Sequence, residues 1–497
     1  MNRQRFLKTL GFGTAASLTG SWLLTGCNTH DMSNMDMTPG GENMGPAITE
    51  VPFTTPLRFP ETITASGQLT ASSVTEAILP GKSVRMLSYR QGALGPTIRV
   101  TNGSDVTLRF NNQLTEESNI HWHGLLVPAE MDGHPTQLVQ AGGSFTYAFR
   151  INQAANMAWY HPHPHEKTAK QAFMGLAGMI LIETPDERAL NLPSGTFELP
   201  LLIQDKRLDG AGSPVYNPTM DDVMIGYMGE TVTVNGIAGA FHPVSTRTYR
   251  LRIVNGSNGR IYNLALSNKA PFQVIGTDGG LLAAPETVTA LLLSPGERTD
   301  LLVDFSKVPV GTDVYLTSET FTGASSQGGQ AFNILKFSVN KAESDPFRMP
   351  VSLSTVTPLS TASAVKTRQF DIGISAEGMD GMSGMKGMHT IGGKTYLASR
   401  IDESVKLGDT EIWEFDNSKG DEPHPMHLHG TFFQVISRVG GRNTLYANEK
   451  GPKDTVLVMP GERVRIIAQF KTPGTFVFHC HNLEHEDDGM MLNFRVS

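Results

Sequence analysis

MPGERVRIIAQF, residues 459–470, leads into GTFVFHCHNLEH, residues 474–485. A Pro-Gly turn opens a run in which apolar and polar side chains alternate. A β-branched and aromatic run follows and ends on a His-Cys-His triplet. The same unit stands twice more upstream. SPGERTDLLVDF (294–305) precedes TDVYLTSE (312–319), and AGGSFTYAFR (141–150) precedes MAWYHPHPH (157–165). Ahead of each copy comes a strand closed by an Asn turn: LRFNNQL (108–114), LRIVNGSN (251–258) and IWEFDNS (412–418). Three copies in 497 residues predict three domains of roughly 150 residues each. Short runs such as Thr97-Ile98-Arg99-Val100 and Val106–Phe110, separated by Gly, Pro and Asn, predict an all-β chain of sandwiches, since helical periodicity is scarce. The domains are expected at 55–192, 193–345 and 346–497.

Histidines cluster in the first and third copies only. Ten of the 15 fall in four motifs: His121-Trp-His123, His161-Pro-His163, His424-Pro-Met-His427-Leu-His429, and His479-Cys480-His481 followed by His485. On a strand, residues i and i+2 share a face, so each His-x-His pair can aim two imidazoles at one point. Imidazoles with one thiolate and one thioether suit copper. His424, Cys480, His485 and Met490 make up the two-His, one-Cys, axial-Met set of a blue-copper site. Eight histidines remain, enough for a second site of several metals. Zinc takes the same residue types, but this many histidines exceeds a structural zinc site. Because the middle copy has none, the outer two domains are expected to meet at a shared centre.

In order and spacing the four motifs resemble those of the multicopper oxidases. The likeness spans residues 55–497 and includes HPHPHEKTAKQAFMGLAGMILIE (161–183) and HCHNLEHEDDGMM (479–491). It is similar to that of bacterial laccases and periplasmic cuprous oxidases. The resemblance implies three cupredoxin-like sandwiches and four copper ions: one type 1, one type 2 and a type 3 pair. By motif, His121 and His427 would hold type 2, while His123, His161, His163, His429, His479 and His481 would hold the type 3 pair. His165 extends the alternation as a supporting group. One-electron oxidation of a reductant at Cys480 would be coupled to four-electron reduction of dioxygen to water. Asp132 and Glu484 match positions where relatives place acids beside the cluster, and a carboxylate there can relay protons.

Composition bears on compartment and partners. Lys and Arg number 40 against 48 Asp and Glu, a formal net charge of −8, which argues against nucleic acid. Residues 1–26 read as a signal peptide: a basic start, a short apolar stretch, then Leu24-Thr25-Gly26-Cys27, which resembles a lipobox. Cys27 would carry a lipid, and the protein is expected in the periplasm or cell envelope as a monomer touching membrane only there. Arg3-Gln4-Arg5 leaves the export route open. With Cys27 lipidated no disulfide forms, and Cys480 is the single thiol. Residues 27–54 read as a Met-rich tether.

Methionines bear on the reductant. Residues 378–388, GMDGMSGMKGM, space Met379, Met382, Met385 and Met388 by three, but four glycines oppose a helix. An exposed loop for Cu(I) is expected, echoed by Met32, Met35, Met37 and Met44 beside His30; scavenging of oxidants is the rival reading. The run is shorter than in cuprous oxidases, and Gly420-Asp421-Glu422-Pro423 replaces their Asp-x-Met. Asp380, Asp421 and Glu422 would substitute in part. Three functions stand: a Cu(I) oxidase in copper tolerance that also takes phenols and aromatic amines, a broad laccase without a metal-handling role, and a lipid-anchored copper-binding protein.

Overall fold

A computed structural model describes residues 45–375 and 387–497. The expected signal peptide at 1–26, and Cys27, His30, Met32, Met35, Met37, Met44, Met379, Asp380, Met382 and Met385, lie outside the described residues. The all-β expectation holds: among the described residues the strands pair into six sheets, two to a sandwich. The first sandwich packs a sheet carrying Ser66–Leu79, Asp105–Asn112 and Ser144–Arg150 against one carrying Thr97–Thr101, Asn156–Tyr160 and Gly178–Glu183. The middle one has six- and seven-stranded sheets, and the third has two of five. Alternation explains the pairing. In Asp105–Asn112 the side chains of Val106, Leu108 and Phe110 are buried, while Asp105, Thr107 and Arg109 face solvent. No helix among the described residues is long and apolar enough to cross a membrane.

The repeat has a shared physical core. Asn112, Asn255 and Asn417 are fully buried. Asn112 Nδ2 donates to Val139 O (2.8 Å), Asn255 Nδ2 to Leu293 O (2.9 Å), and Asn417 Nδ2 to Val458 O (3.3 Å). Each acceptor lies three residues before a turn glycine at positive φ: Gly142, Gly296 and Gly461. One carboxamide thus ties the same two strand ends together in all three sandwiches. A buried amide that left its donors unpaired would be costly.

Two expected boundaries move. Residues 45–56 were expected as the end of a tether and the start of the first domain, but they lie along the middle sandwich. Thr55–Pro56 pairs parallel with Ala240 and Phe241, and Thr49 N donates to Glu230 O (2.7 Å). At the far side, Leu353 is buried in the middle core and its N–H donates to Ala283 O (2.9 Å). The chain therefore stays on the middle sandwich past the expected boundary at 346 as far as Leu353, and the third begins its sheets at Ala364–Ile374. In both places a polar, Pro-rich composition hid backbone groups that find partners on a neighbouring sheet.

Candidate metal centre

The third sandwich sets His424–Leu428 antiparallel to Gly474–Cys480, with Met426 opposite Cys480 and His427 opposite His479. In the first sandwich His121 and His161 exchange backbone hydrogen bonds of 2.8 and 3.2 Å. The two edges face each other. His121 stacks on His429 and His123 on His427, each pair with ring centroids 3.8 Å apart. Eight buried imidazoles thus meet: His121, His123, His161, His163, His427, His429, His479 and His481. The His-x-His pairs do not each converge on one point. His161 groups with His121 and His123, whereas His163 groups with His429 and His479.

Four of the outward-facing ring nitrogens are held by fixed acceptors. His121 Nδ1 donates to Asp132 O (2.8 Å), His161 Nδ1 to Pro162 O (2.8 Å), His427 Nδ1 to Asp454 O (2.9 Å) and His429 Nδ1 to Asp132 Oδ2 (2.7 Å). His123 is turned the other way, with Nε2 donating to Asp454 Oδ1 (3.1 Å). Inward, His121 Nε2, His123 Nδ1, His161 Nε2, His427 Nε2 and His481 Nε2 have no hydrogen-bond partner. The Nε2 atoms of His163 and His429 lie 3.2 and 3.1 Å from His479 Nε2. Buried lone pairs aimed at one another are unfavourable unless cations lie between them. Burial and neighbouring imidazoles hold His121, His123, His163, His429 and His481 well below the usual histidine range, and burial takes His161 to about 3. Neutral imidazoles with fixed outer nitrogens are what metal ligation requires.

The second group is a triangle. Cys480 Sγ is 3.6 Å from His424 Nδ1 and 3.6 Å from His485 Nδ1, and those nitrogens are 3.2 Å apart. This is the spacing of a trigonal two-nitrogen, one-sulfur copper set. Met490 is fully buried in the same core, and its carbonyl accepts from Cys480 N (3.0 Å). Burial pushes the Cys480 thiol up, so the proton leaves when a cation takes the sulfur. His485 Nε2 donates to Met224 O (3.1 Å), which leaves Nδ1 free to ligate. His479 and His481 flank Cys480 in the chain, so one short segment joins both groups.

Of the two expected acids, Asp132 is at the cluster. Its side chain holds His429, its other oxygen has no partner, and burial raises it to about 8. Glu484 is not. It accepts from Asn258 Nδ2 (2.7 Å), Tyr216 OH (3.2 Å) and Tyr227 N (2.8 Å), all away from the histidines. The acid at the cluster is Glu486, with one oxygen 3.1 Å from His163 Nδ1 and the other 3.1 Å from His479 Nδ1. Residues 483–487 form a helix, Leu483–Asp487. At about 100° per residue, positions 484 and 486 face nearly opposite ways. The helix phase was the missing signal. His165 stands outside the ligand groups, its ring 4.9 Å from Tyr396.

Four further residues had no motif: Asp454, Arg298, Gly296 and His389. Asp454 accepts from His123 and lies against His427, and it is clamped by Arg298 with two 2.6 Å bonds. Arg298 also donates to Met157 O, Gly296 O and Asp278 O. Gly296 itself approaches the cluster: a Cβ there would lie 2.9 Å from the His481 ring and 3.1 Å from His123, at φ +83°. Its counterparts Gly142 and Gly461 would meet nothing. The metal-free middle copy therefore uses its repeat turn as a wall of the site. His389 stacks on His485 at 4.0 Å and donates to Asp488 (2.8 Å). Next to it, Met388, expected in an exposed run, is buried, because Asp488 also accepts its backbone N–H (2.9 Å). Glu422 accepts from Ser326 Oγ (3.0 Å), and burial raises it to about 7.

Comparison with known proteins agrees with this geometry. Family models described as multicopper oxidase match residues 71–187, 158–338 and 371–497. The multicopper oxidase mco of Staphylococcus haemolyticus is 36% identical over 83% of this chain and 84% of its own length. The cell division protein FtsP of Xenorhabdus nematophila is 34% identical over 80% of this chain and 82% of its own. The crystal structure of McoA multicopper oxidase from Aquifex aeolicus superposes with a TM-score of 0.81 at 36% identity, covering 89% of this chain and 99% of that one. With cupredoxin-like sandwiches and a fitting donor set, this chain belongs to the multicopper oxidases, enzymes that carry one type 1 copper, one type 2 copper and a type 3 pair and use dioxygen as electron acceptor.

Proposed function

We propose that this enzyme oxidises Cu(I) in copper tolerance, and that it does so outside the cytoplasm, anchored by a lipid on Cys27. In this reading His424, Cys480, His485 and Met490 hold type 1. His121 and His427 hold type 2, and His123, His161, His163, His429, His479 and His481 hold the type 3 pair. When bound, the coppers supply one-electron acceptance at type 1 and dioxygen reduction at the other three. The chain does the rest. The Cys480 segment links the groups covalently through His479 and His481. Asp132 and Glu486, in place of Glu484, hold and pass protons at the Nδ1 edges of His429, His163 and His479.

The observation that carries the choice of reductant is the cover on His485. Its side chain has no exposed surface, and its Nε2 is occupied by the carbonyl of Met224. Met224 belongs to Met220–Ile225, a short helix of sequence MDDVMI. A flat organic molecule has no ring face to stack on at His485. A small soft ion needs only thioethers and carboxylates, which this helix carries. Dioxygen uptake with Cu(I) and with guaiacol as separate reductants tests the reading. Cu(I) is expected to be turned over several-fold faster, and the Met220→Leu/Met224→Leu double variant is expected to lose most of that advantage. Equal rates with both reductants in the parent enzyme would remove the argument. Retention of the full ligand set speaks against a role limited to binding copper.

A further inference from the structure

If His485 is closed to organic molecules, as proposed above, phenols need another way in, and a cleft between the first and middle sandwiches offers one. Its volume is about 660 Å³, within the range of small-molecule sites. Leu87, Leu114, Met174, Val215 and Tyr216 line it, and the Glu116–Lys170 ion pair (3.1 Å) stands at its edge. Tyr216 distinguishes this cleft. Its ring packs 4.8 Å from Tyr227 and 5.6 Å from Phe173, and its hydroxyl donates to Glu484 Oε1 (3.2 Å). Glu484 immediately precedes His485, whose Nδ1 lies 3.6 Å from Cys480 Sγ. One hydrogen bond and one continuous stretch of chain therefore run from the cleft wall to the type 1 ligands. The helix Thr168–Phe173, which leads into the Met174 wall, is fixed to the same segment: Asp487 accepts from Thr168 N (3.2 Å) and Ala169 N (2.9 Å).

We infer that this cleft is a second reductant site, that it takes a single-ring, electron-rich phenol, and that Tyr216 and Glu484 conduct its electron to type 1. The apolar lining and the Met174 thioether suit an aromatic ring, and the polar edge suits its hydroxyl. The phenol loses one electron and its hydroxyl proton to become a phenoxyl radical. The electron goes to the oxidised type 1 site, and the proton goes to water at the cleft mouth. Four such events supply the four electrons that dioxygen takes up, with four protons, to give two waters. Glu484, misplaced by its sequence position as a proton relay for the cluster, finds its use here as a conducting hydrogen-bond acceptor.

The test follows the blue absorption of the copper-loaded enzyme under anaerobic stopped flow, with guaiacol or Cu(I) as reductant, in the parent, Val215→Trp and Tyr216→Phe. Binding of guaiacol to copper-free protein is followed separately by saturation-transfer NMR. Val215→Trp fills the cleft and is expected to cut the guaiacol bleaching rate tenfold or more, to abolish saturation transfer, and to leave bleaching by Cu(I) unchanged. Tyr216→Phe is expected to keep binding but slow the limiting rate with guaiacol several-fold. Equal guaiacol rates in parent and Val215→Trp, or a parent that does not oxidise guaiacol, would overturn the site while leaving the Cu(I) reading intact. Failure of Cu(I) alone to bleach the band would sink the Cu(I) reading and leave the cleft standing.

Discussion

Arg298→Met is the sharpest probe of how the metal-free middle domain contributes to the centre. Arg298 has no exposed surface, and it binds Asp454 through two 2.6 Å contacts. It also reaches the carbonyl of Met157 in the first sandwich and those of Gly296 and Asp278 in the middle one. Methionine preserves much of the volume but leaves a buried carboxylate with no counter-charge. Removing one partner of a buried pair typically costs about 3–5 kcal/mol, a factor of roughly 10² to 10⁴ in the folded-to-unfolded ratio. The exposed pair Arg150–Asp105, with side chains 62% and 77% accessible, is the control; such pairs contribute about 0–1 kcal/mol. Chemical denaturation of copper-free protein should therefore separate Arg298→Met from Arg150→Met by at least about 2 kcal/mol. Copper analysis gives a second readout. Asp454 orients His123 and His427 but touches none of His424, Cys480 and His485. The variant should lose cluster copper and keep its blue band. Full copper content with stability within about 1 kcal/mol of the parent would refute the positioning argument.

Other outcomes follow from single contacts. Cys480→Ser should abolish the blue absorption and electron transfer from any reductant while the eight-histidine group still takes up copper; EPR and metal analysis would show it. Glu486→Gln should slow dioxygen reduction on the order of 10²-fold with the blue band intact, whereas Glu484→Gln should leave reoxidation of reduced enzyme unchanged. Similar effects from both would contradict the helix phase seen here. Lys206 is buried, and desolvation lowers it from 10.5 to about 7. Between those values the unfolded chain binds more protons, so stability rises with pH through that window, and the full penalty persists below about 7. In denaturation from pH 6 to 10, Lys206→Met should flatten this slope and stabilise the copper-free protein at neutral pH.

Much of the fold was legible because it repeats. The Asn turn and the glycine turn recur in the same order, and each copy performs the same tie between carboxamide and strand end, from Asn112 to Val139, Asn255 to Leu293 and Asn417 to Val458. The histidine motifs were legible because strand alternation and ligand chemistry are both local. The boundaries were less so: residues 45–56 and Leu353 join the middle sandwich through backbone pairing, which leaves little mark on composition.

By itself the sequence determined the class of fold, the donor types and the family. A two-residue period and a His-Cys-His triplet need only neighbouring residues to be recognised. Only the tertiary structure decided which acid meets the cluster. The turn of Leu483–Asp487 sends Glu486 toward His163 and His479 and Glu484 toward Tyr216. It alone showed that Arg298 and Gly296, from the copy without ligands, close the site. The contacts of Arg298 with Asp454 and of Gly296 with His123 and His481 join positions more than 150 residues apart, and they depend on how three sandwiches dock, which no local pattern encodes.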